Sequence, residues 1–262
     1  SRAVAWAALA DHLVAKGEEP TQAFDRAIED YGEAIRLFPD AAEPRLNRSF
    51  AQQRLARYQA SRGQDPRAAI QAAIKDASDA LAIDPSNASA FNNRGIAYLD
   101  LGEAESERGT DPRPTWGKAI GDFDAACVRD PRHADACGNR GLAWLDIAEW
   151  EASRGMDARE SFAKALSAYD DAIRIDPANA GFYNSRGATR RSLCAVLTRA
   201  GGDPRKDLDA AIADFDEAIR RNPAHLGAWL NRGNAHSDLG DHEAARGGDP
   251  RPQYDLAVAD FD

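Results

Sequence analysis

Apolar residues recur at spacings near three and four along most of the chain. In ASAFNNRGIAYLDLGEAESERG (88–109), Phe91, Ile96, Tyr98, Leu99 and Leu101 recur on this spacing with no proline between them, the pattern of an amphipathic helix. Arg108 falls in the last turn, where a cation complements the helix dipole, and Gly109 offers the left-handed conformation that commonly ends a helix. Asp111 then reads as an N-cap and Pro112 as the first residue of a second helix. That helix carries Trp116, Ala119, Ile120, Phe123, Ala126 and Cys127 on one face. Pro131 closes it, because the residue before proline is pushed out of helical geometry. The pattern predicts two antiparallel helices of roughly 18 residues, about 27 Å long at 1.5 Å per residue. Neither buries its apolar face alone, so such pairs must stack.

The pattern repeats. Gly17, Gly63, Gly109, Gly155, Gly201 and Gly247 are spaced by 46 residues, as are Pro39, Pro85, Pro131, Pro177 and Pro223. The runs NRS, NRG, NRG, SRG and NRG keep the same period from Asn47, Asn93, Asn139, Ser185 and Asn231. Three markers on one period define a tandem array. The expected units are 42–87, 88–133, 134–179 and 180–225, with partial units at 1–41 and 226–262, so the chain reads as a single array and a fragment of a longer one. The loop RGTDPRP (108–114) resembles an anion-binding turn in isolation, but a loop copied in successive units reads as architecture.

Composition narrows the function classes. A net charge of −10 argues against nucleic acid as the main partner, since phosphate binding needs clustered excess Lys and Arg. Cys127, Cys137 and Cys194 contain no CxxC pair and are odd in number, so neither a disulfide framework nor a zinc site is indicated. Cys127 stands where other copies carry Ile or Leu and reads as a small core residue. A reducing, cytoplasmic setting fits, and no apolar run reaches membrane-spanning length.

One unit resembles the tetratricopeptide repeat. The matching residues are an early aromatic (Phe91, Tyr183, Trp229) and a small residue at a helix contact (Gly95, Gly141, Gly187, Gly233). An alanine two residues on (Ala97, Ala143, Ala235) also fits, as does the second-helix set Ala119, Phe123, Ala126 and Pro131. The resemblance covers the whole chain and implies an all-α, right-handed superhelical solenoid of antiparallel helix pairs, with first helices lining a concave groove. That family's usual unit has about 34 residues. The additional ones here are expected to lengthen both helices.

The resemblance directs attention to the first helices. Asn47, Asn93, Asn139 and Asn231, with Ser185 in the fifth copy, form a ladder. In superhelical members of the family a similar ladder binds a peptide backbone, since an amide both donates and accepts. The other reading is a structural bond to Asp30, Asp76, Asp122 and Asp214 of the preceding second helix, because Ala168 and Ser185 break the two series at one junction. Arg48, Arg94, Arg140, Arg186 and Arg232 read as inter-unit ion pairs with acids such as Asp84, Asp130 and Asp176. The glycines are assigned to the inter-unit scaffold with them. Phe50, Ile96 and Leu142, with Leu99 and Leu145 one turn on and Asn92, Asn184 and Asn234 beside them, are the expected partner-binding face.

Catalytic signals are weak. His236 and His242 lie six apart on different helix faces, and GxSxG, HExxH and GxxxxGK[ST] are missing from the chain. The reading is a noncatalytic scaffold, without metal or cofactor, that holds a protein or peptide in its groove. Alternatives are a targeting or regulatory arm of a larger bacterial enzyme (a kinase or a caspase-type protease) and a module self-associating head to tail through Tyr254, Val258 and Phe261.

Overall fold

A computed structural model describes residues 2–262, and among these it contains twelve α-helices and no strand. Two compact units divide the chain, one ending at Pro131 and the other spanning Arg132–Asp262. The first holds α1 (Arg2–Lys16), α2 (Thr21–Leu37), α3 (Glu43–Ser61), α4 (Arg67–Ile83), α5 (Ala88–Glu107) and α6 (Arg113–Arg129). The second holds α7 (Ala134–Ser153), α8 (Arg159–Ile175), α9 (Ala180–Arg199), α10 (Arg205–Arg221), α11 (Leu226–Ala245) and α12 (Arg251–Phe261). No described helix is long and apolar enough to cross a membrane.

The turn inside each hairpin is built as the glycine spacing requires. Gly109 has φ +77°, and its N–H donates to Ser106 O at 2.9 Å while Thr110 N–H donates to Glu105 O at 2.9 Å. That is a Schellman stop. The start of the next helix differs by one residue from the expectation. Pro112 lies at the N-cap position and Arg113 heads α6. Asp111 still caps: its carboxylate accepts from Arg113 N–H at 3.1 Å and from the Arg113 guanidinium at 2.7 Å. Equivalent Asp–Arg clasps occur at Asp65–Arg67, Asp157–Arg159, Asp203–Arg205 and Asp249–Arg251. The loop's arginine is thus spent on its own aspartate, and the turn is a hinge between helices.

First helices α5, α7, α9 and α11 have 20 residues, and second helices α4, α6, α8 and α10 have 17. Within a hairpin the register is antiparallel. An added Cβ would meet Phe123 at Gly95 and Trp116 at Gly102, so small residues on α5 face large ones on α6. The same arrangement pairs Gly141 with Tyr169, Gly187 with Phe215 and Gly233 with Phe261. These glycines therefore mediate contact inside a hairpin, which corrects their assignment to the inter-unit scaffold. The ring fits only because no Cβ is present: one at Gly95 would stand 2.6 Å from Phe123 Cε1. Where the first helix carries Ser49, the facing position is Ala77, and Ser49 Oγ donates to Ala73 O at 2.8 Å.

Between hairpins within each unit, α2 packs on α3, α4 on α5, α8 on α9 and α10 on α11, and first helices touch one another at α3/α5, α7/α9 and α9/α11. Asn87, His133, Asn179 and His225 cap the first helices, the histidines accepting at Nδ1 from Ala136 and Ala228 N–H. Cys127 is half-buried, while Cys137 and Cys194 are buried.

Candidate partner-binding face

The arginine series is the strongest electrostatic feature, and its partners differ from those the sequence suggested. Arg48 grips Asp76 through Nε and Nη2, both at 2.6 Å. Arg94 holds Asp122 at 2.8 and 2.7 Å, Arg186 holds Asp214, and Arg232 holds Asp260 at 2.9 Å through Nε. Each pair joins the two helices of one hairpin. Asp84 and Asp176 instead accept from Ser86 N–H and Ala178 N–H in the inter-unit turn, so they are engaged where they stand. An inter-unit contact does exist through the remaining nitrogen. Arg94 Nη1 donates to Ser78 Oγ at 3.2 Å, Arg186 Nη1 to Asp170 at 2.6 Å, and Arg232 Nη1 to Asp216 at 2.5 Å. Burial explains the fixed geometry: Asp76, Asp122 and Asp214 are buried, and a buried carboxylate must be paired and hydrogen-bonded.

This removes the proposed Asp–Asn junction, because the aspartates belong to the arginines. The break at Ala168 has a different consequence. Arg140 there turns to Asp171 at 2.8 Å, three residues along α8. Ser185 bonds the hydroxyl of Tyr169, which stands where other units carry Phe123 and Phe215. Burial pushes the Tyr169 phenol well above its ordinary range, so it stays neutral. Two neighbouring departures at one junction thus have two separate causes.

The amide series is half-exposed at Asn47, Asn93, Asn139 and Asn231. Asn231 Nδ2 donates to Asn184 Oδ1 at 3.0 Å, joining α9 to α11, and Gln53 Nε2 donates to Asn93 O at 3.2 Å, joining α3 to α5. Among the apolar candidates, Phe50 is 49% exposed and Leu142 is 41% exposed. The Arg54 guanidinium lies 5.2 Å from the Phe50 ring centroid. Ile96 and Leu145 are half-buried, Leu145 packing against the Ala148–Phe162 cluster. Asn184 and Asn234 are half-buried too. Leu99 and Asn92 depart from the expectation, since both are buried at 7% and 8% exposure. Leu99 O accepts from the Trp116 indole at 3.3 Å, so the residue belongs to the hairpin interior.

In the second unit the two sequence series meet. Asn139 and Leu142 line one cleft of about 220 Å³ with Gly138, Tyr169, Phe182 and Ser185. Gly138 makes room there, because a Cβ would stand 2.6 Å from Phe182 Cε1. Leu230, on α11, is 52% exposed as well. It was not among the residues expected on the binding face. The cleft offers amide, hydroxyl and apolar surface side by side.

The comparisons agree with this geometry. Residues 205–248 match a family model for the tetratricopeptide repeat. A thermophilic tetratricopeptide-repeat protein of Thermus thermophilus, TTC0263, superposes with a TM-score of 0.59 at 17% identity, covering 89% of this chain and 98% of that one. MamA gives 0.53 at 20% identity, covering 82% and 94%. YrrB, a repeat protein with an unusual peptide-binding site, gives 0.51 at 17% identity, covering 89% and 93%. No curated protein matches the sequence.

Proposed function

We propose that this chain, whose helix pairs are tetratricopeptide repeats, is a noncatalytic interaction scaffold whose first helices hold an extended peptide or a helix of another protein. The reading rests on one observation: Phe50 and Leu142 are solvent-exposed in mid-helix at the same place in the repeat, two periods apart in the sequence, with an amide of the asparagine series three residues before each. An apolar contact next to a group that donates and accepts suits a polypeptide, whose backbone alternates N–H and C=O. The paired arginines support a preorganised receptor. With Arg94 and Arg186 clamped on both sides, little ordering entropy is lost on the receptor side when a partner docks. YrrB's peptide-binding site supports the same class of ligand.

Peptides selected from a random display library on the wild-type chain provide the test. Phe50→Glu and Leu142→Glu, made singly and together, should weaken the selected peptides about tenfold or more, roughly 1.4 kcal/mol. Far-UV circular dichroism and melting should stay close to wild type. Peptides that bind the double variant as tightly as the parent would refute the reading.

A further inference from the structure

The second unit holds a larger cleft away from the apolar face. It lies among the distal half of α9, the start of α10 and the distal half of α11, with a volume of about 480 Å³. Cys194, Pro204 and Leu208, all buried, form part of its wall. Its origin lies in the repeat register. Phe24, Ile70, Trp116, Phe162, Leu208 and Tyr254 hold one place in successive second helices. One hairpin earlier, Phe162 is fully buried beside Ala148, with Leu193 and Val196 packed around it. One period on, Leu208 replaces Phe162, Cys194 replaces Ala148 and His242 replaces Val196. A shorter plug and a polar ring leave the space open.

The lining is acidic above an uncharged floor. Asp238 and Asp241 face the cleft, and Asp207 acts through space on the Cys194 thiol. Arg191, the only Lys or Arg among the lining residues, is engaged by Asp238 at 2.7 Å. Arg205, next in sequence to the lining Pro204, is engaged by Asp203. Burial pushes the Cys194 thiol up, which keeps it neutral. His242 Nε2 is completely buried and has no hydrogen-bond partner. It stands 3.5 Å from Asp203 Oδ1, which already accepts from Arg205. A buried ring nitrogen without a partner costs free energy unless something supplies one.

We infer that this cleft receives a lysine or arginine side chain of a partner polypeptide. The methylenes lie on Cys194, Ala195 and Leu208, and the charged head reaches Asp238 and Asp241. Acids in excess over bases favour a cation here, and the neutral floor suits an aliphatic stem. This goes beyond the apolar face, because the cleft takes its ligand whether or not Phe50 and Leu142 bind anything.

The test is an NMR titration of the intact chain with Nα-acetyl-lysine-amide and Nα-acetyl-arginine-amide, following the His242 ring and the Thr198 and Ala245 amides. Nα-acetyl-norleucine-amide, which has a similar stem without the charge, and Nα-acetyl-glutamate-amide are the controls. The basic probes should shift these resonances and saturate, with norleucine weaker by about tenfold or more, roughly 1.4 kcal/mol. Leu208→Phe restores the plug seen at Phe162 and should abolish the lysine response without lowering the melting temperature. His242→Val, which copies the preceding hairpin, gives the same readout should the larger ring fail to fit. Norleucine or glutamate binding as well as lysine, a cleft that stays silent up to probe solubility, or an undiminished lysine response in both variants would overturn the inference.

Discussion

Gly95 and Gly117 sit in neighbouring helices and should respond oppositely to the same substitution. Alanine in place of a mid-helix glycine gains up to about 1 kcal/mol of helix propensity. At Gly117 nothing stands within 4 Å of the new Cβ, so Gly117→Ala should stabilise by about 0.5–1 kcal/mol. At Gly95 the Cβ would lie 2.6 Å from Phe123 Cε1 and 2.9 Å from Cδ1 and Cζ. Phe123 is fully buried, so the ring has no free volume into which to withdraw. Overpacking of this kind costs about 1–3 kcal/mol. The difference between the two variants, with propensity cancelled, measures that cost. Phe123→Ala alone should cost about 3–5 kcal/mol. Combined with Gly95→Ser it reproduces the Ser49/Ala77 arrangement, so the pair should be less damaging than the sum by about 1–3 kcal/mol, the clash it relieves. Urea unfolding followed by circular dichroism gives the four corners. Because repeat arrays need not unfold in one step, hydrogen exchange in α5 and α6 should localise the change. Additivity within about 0.5 kcal/mol, or Gly95→Ala matching Gly117→Ala, would show that ring and glycine do not meet as described.

Four further outcomes follow from the ion pairs and turns. Arg94→Met strands the buried Asp122 carboxylate and should cost about 3 kcal/mol in urea unfolding, most of it recovered in Arg94→Met/Asp122→Leu. Asp171→Ala, at a site 39% exposed, should cost no more than about 1 kcal/mol. Gly109→Ala places a side chain at φ +77° in open space, so it should lower stability by about 1–2 kcal/mol through backbone strain alone. The guanidinium of Arg159 and a backbone N–H hold Asp157 down at about 2. A depressed carboxylate contributes stability above its unfolded pKa, near 3.9, and loses it as pH falls towards the folded value. Asp157→Asn should therefore flatten the fall in melting temperature between about pH 4 and about pH 2; an unchanged slope would disconnect that carboxylate from acid unfolding.

Local chemistry made much of the fold readable. Gly109 ends one helix and the Asp111–Pro112–Arg113 run starts the next through contacts made within a few residues, so no distant part of the chain has to be known. The period keeps Gly95 and Phe123 at the same separation as Gly187 and Phe215, but that these pairs meet inside a hairpin came from packing alone. Of the apolar residues expected on the face of the first helices, Phe50 and Leu142 are exposed.

Rotation and facing were not legible. Ile96 and Leu99 are three residues apart, about 60° around a helix of 3.6 residues per turn; that angle leaves one half-exposed and buries the other under Trp116. Arg94 likewise had two acids within reach in sequence terms, and only packing placed Asp122 across from it while Asp84 was drawn into its own turn. The cleft over Leu208 exists because a shorter side chain stands where Phe162 did and a polar ring where Val196 did, on different helices around one point. The chain by itself determined where helices stop, start and repeat, since those are matters of neighbouring dihedrals and backbone hydrogen bonds. Which side chains are covered, which charges meet and where space is left were decided by how the helices pack, because burial depends on surfaces that the linear order never brings side by side.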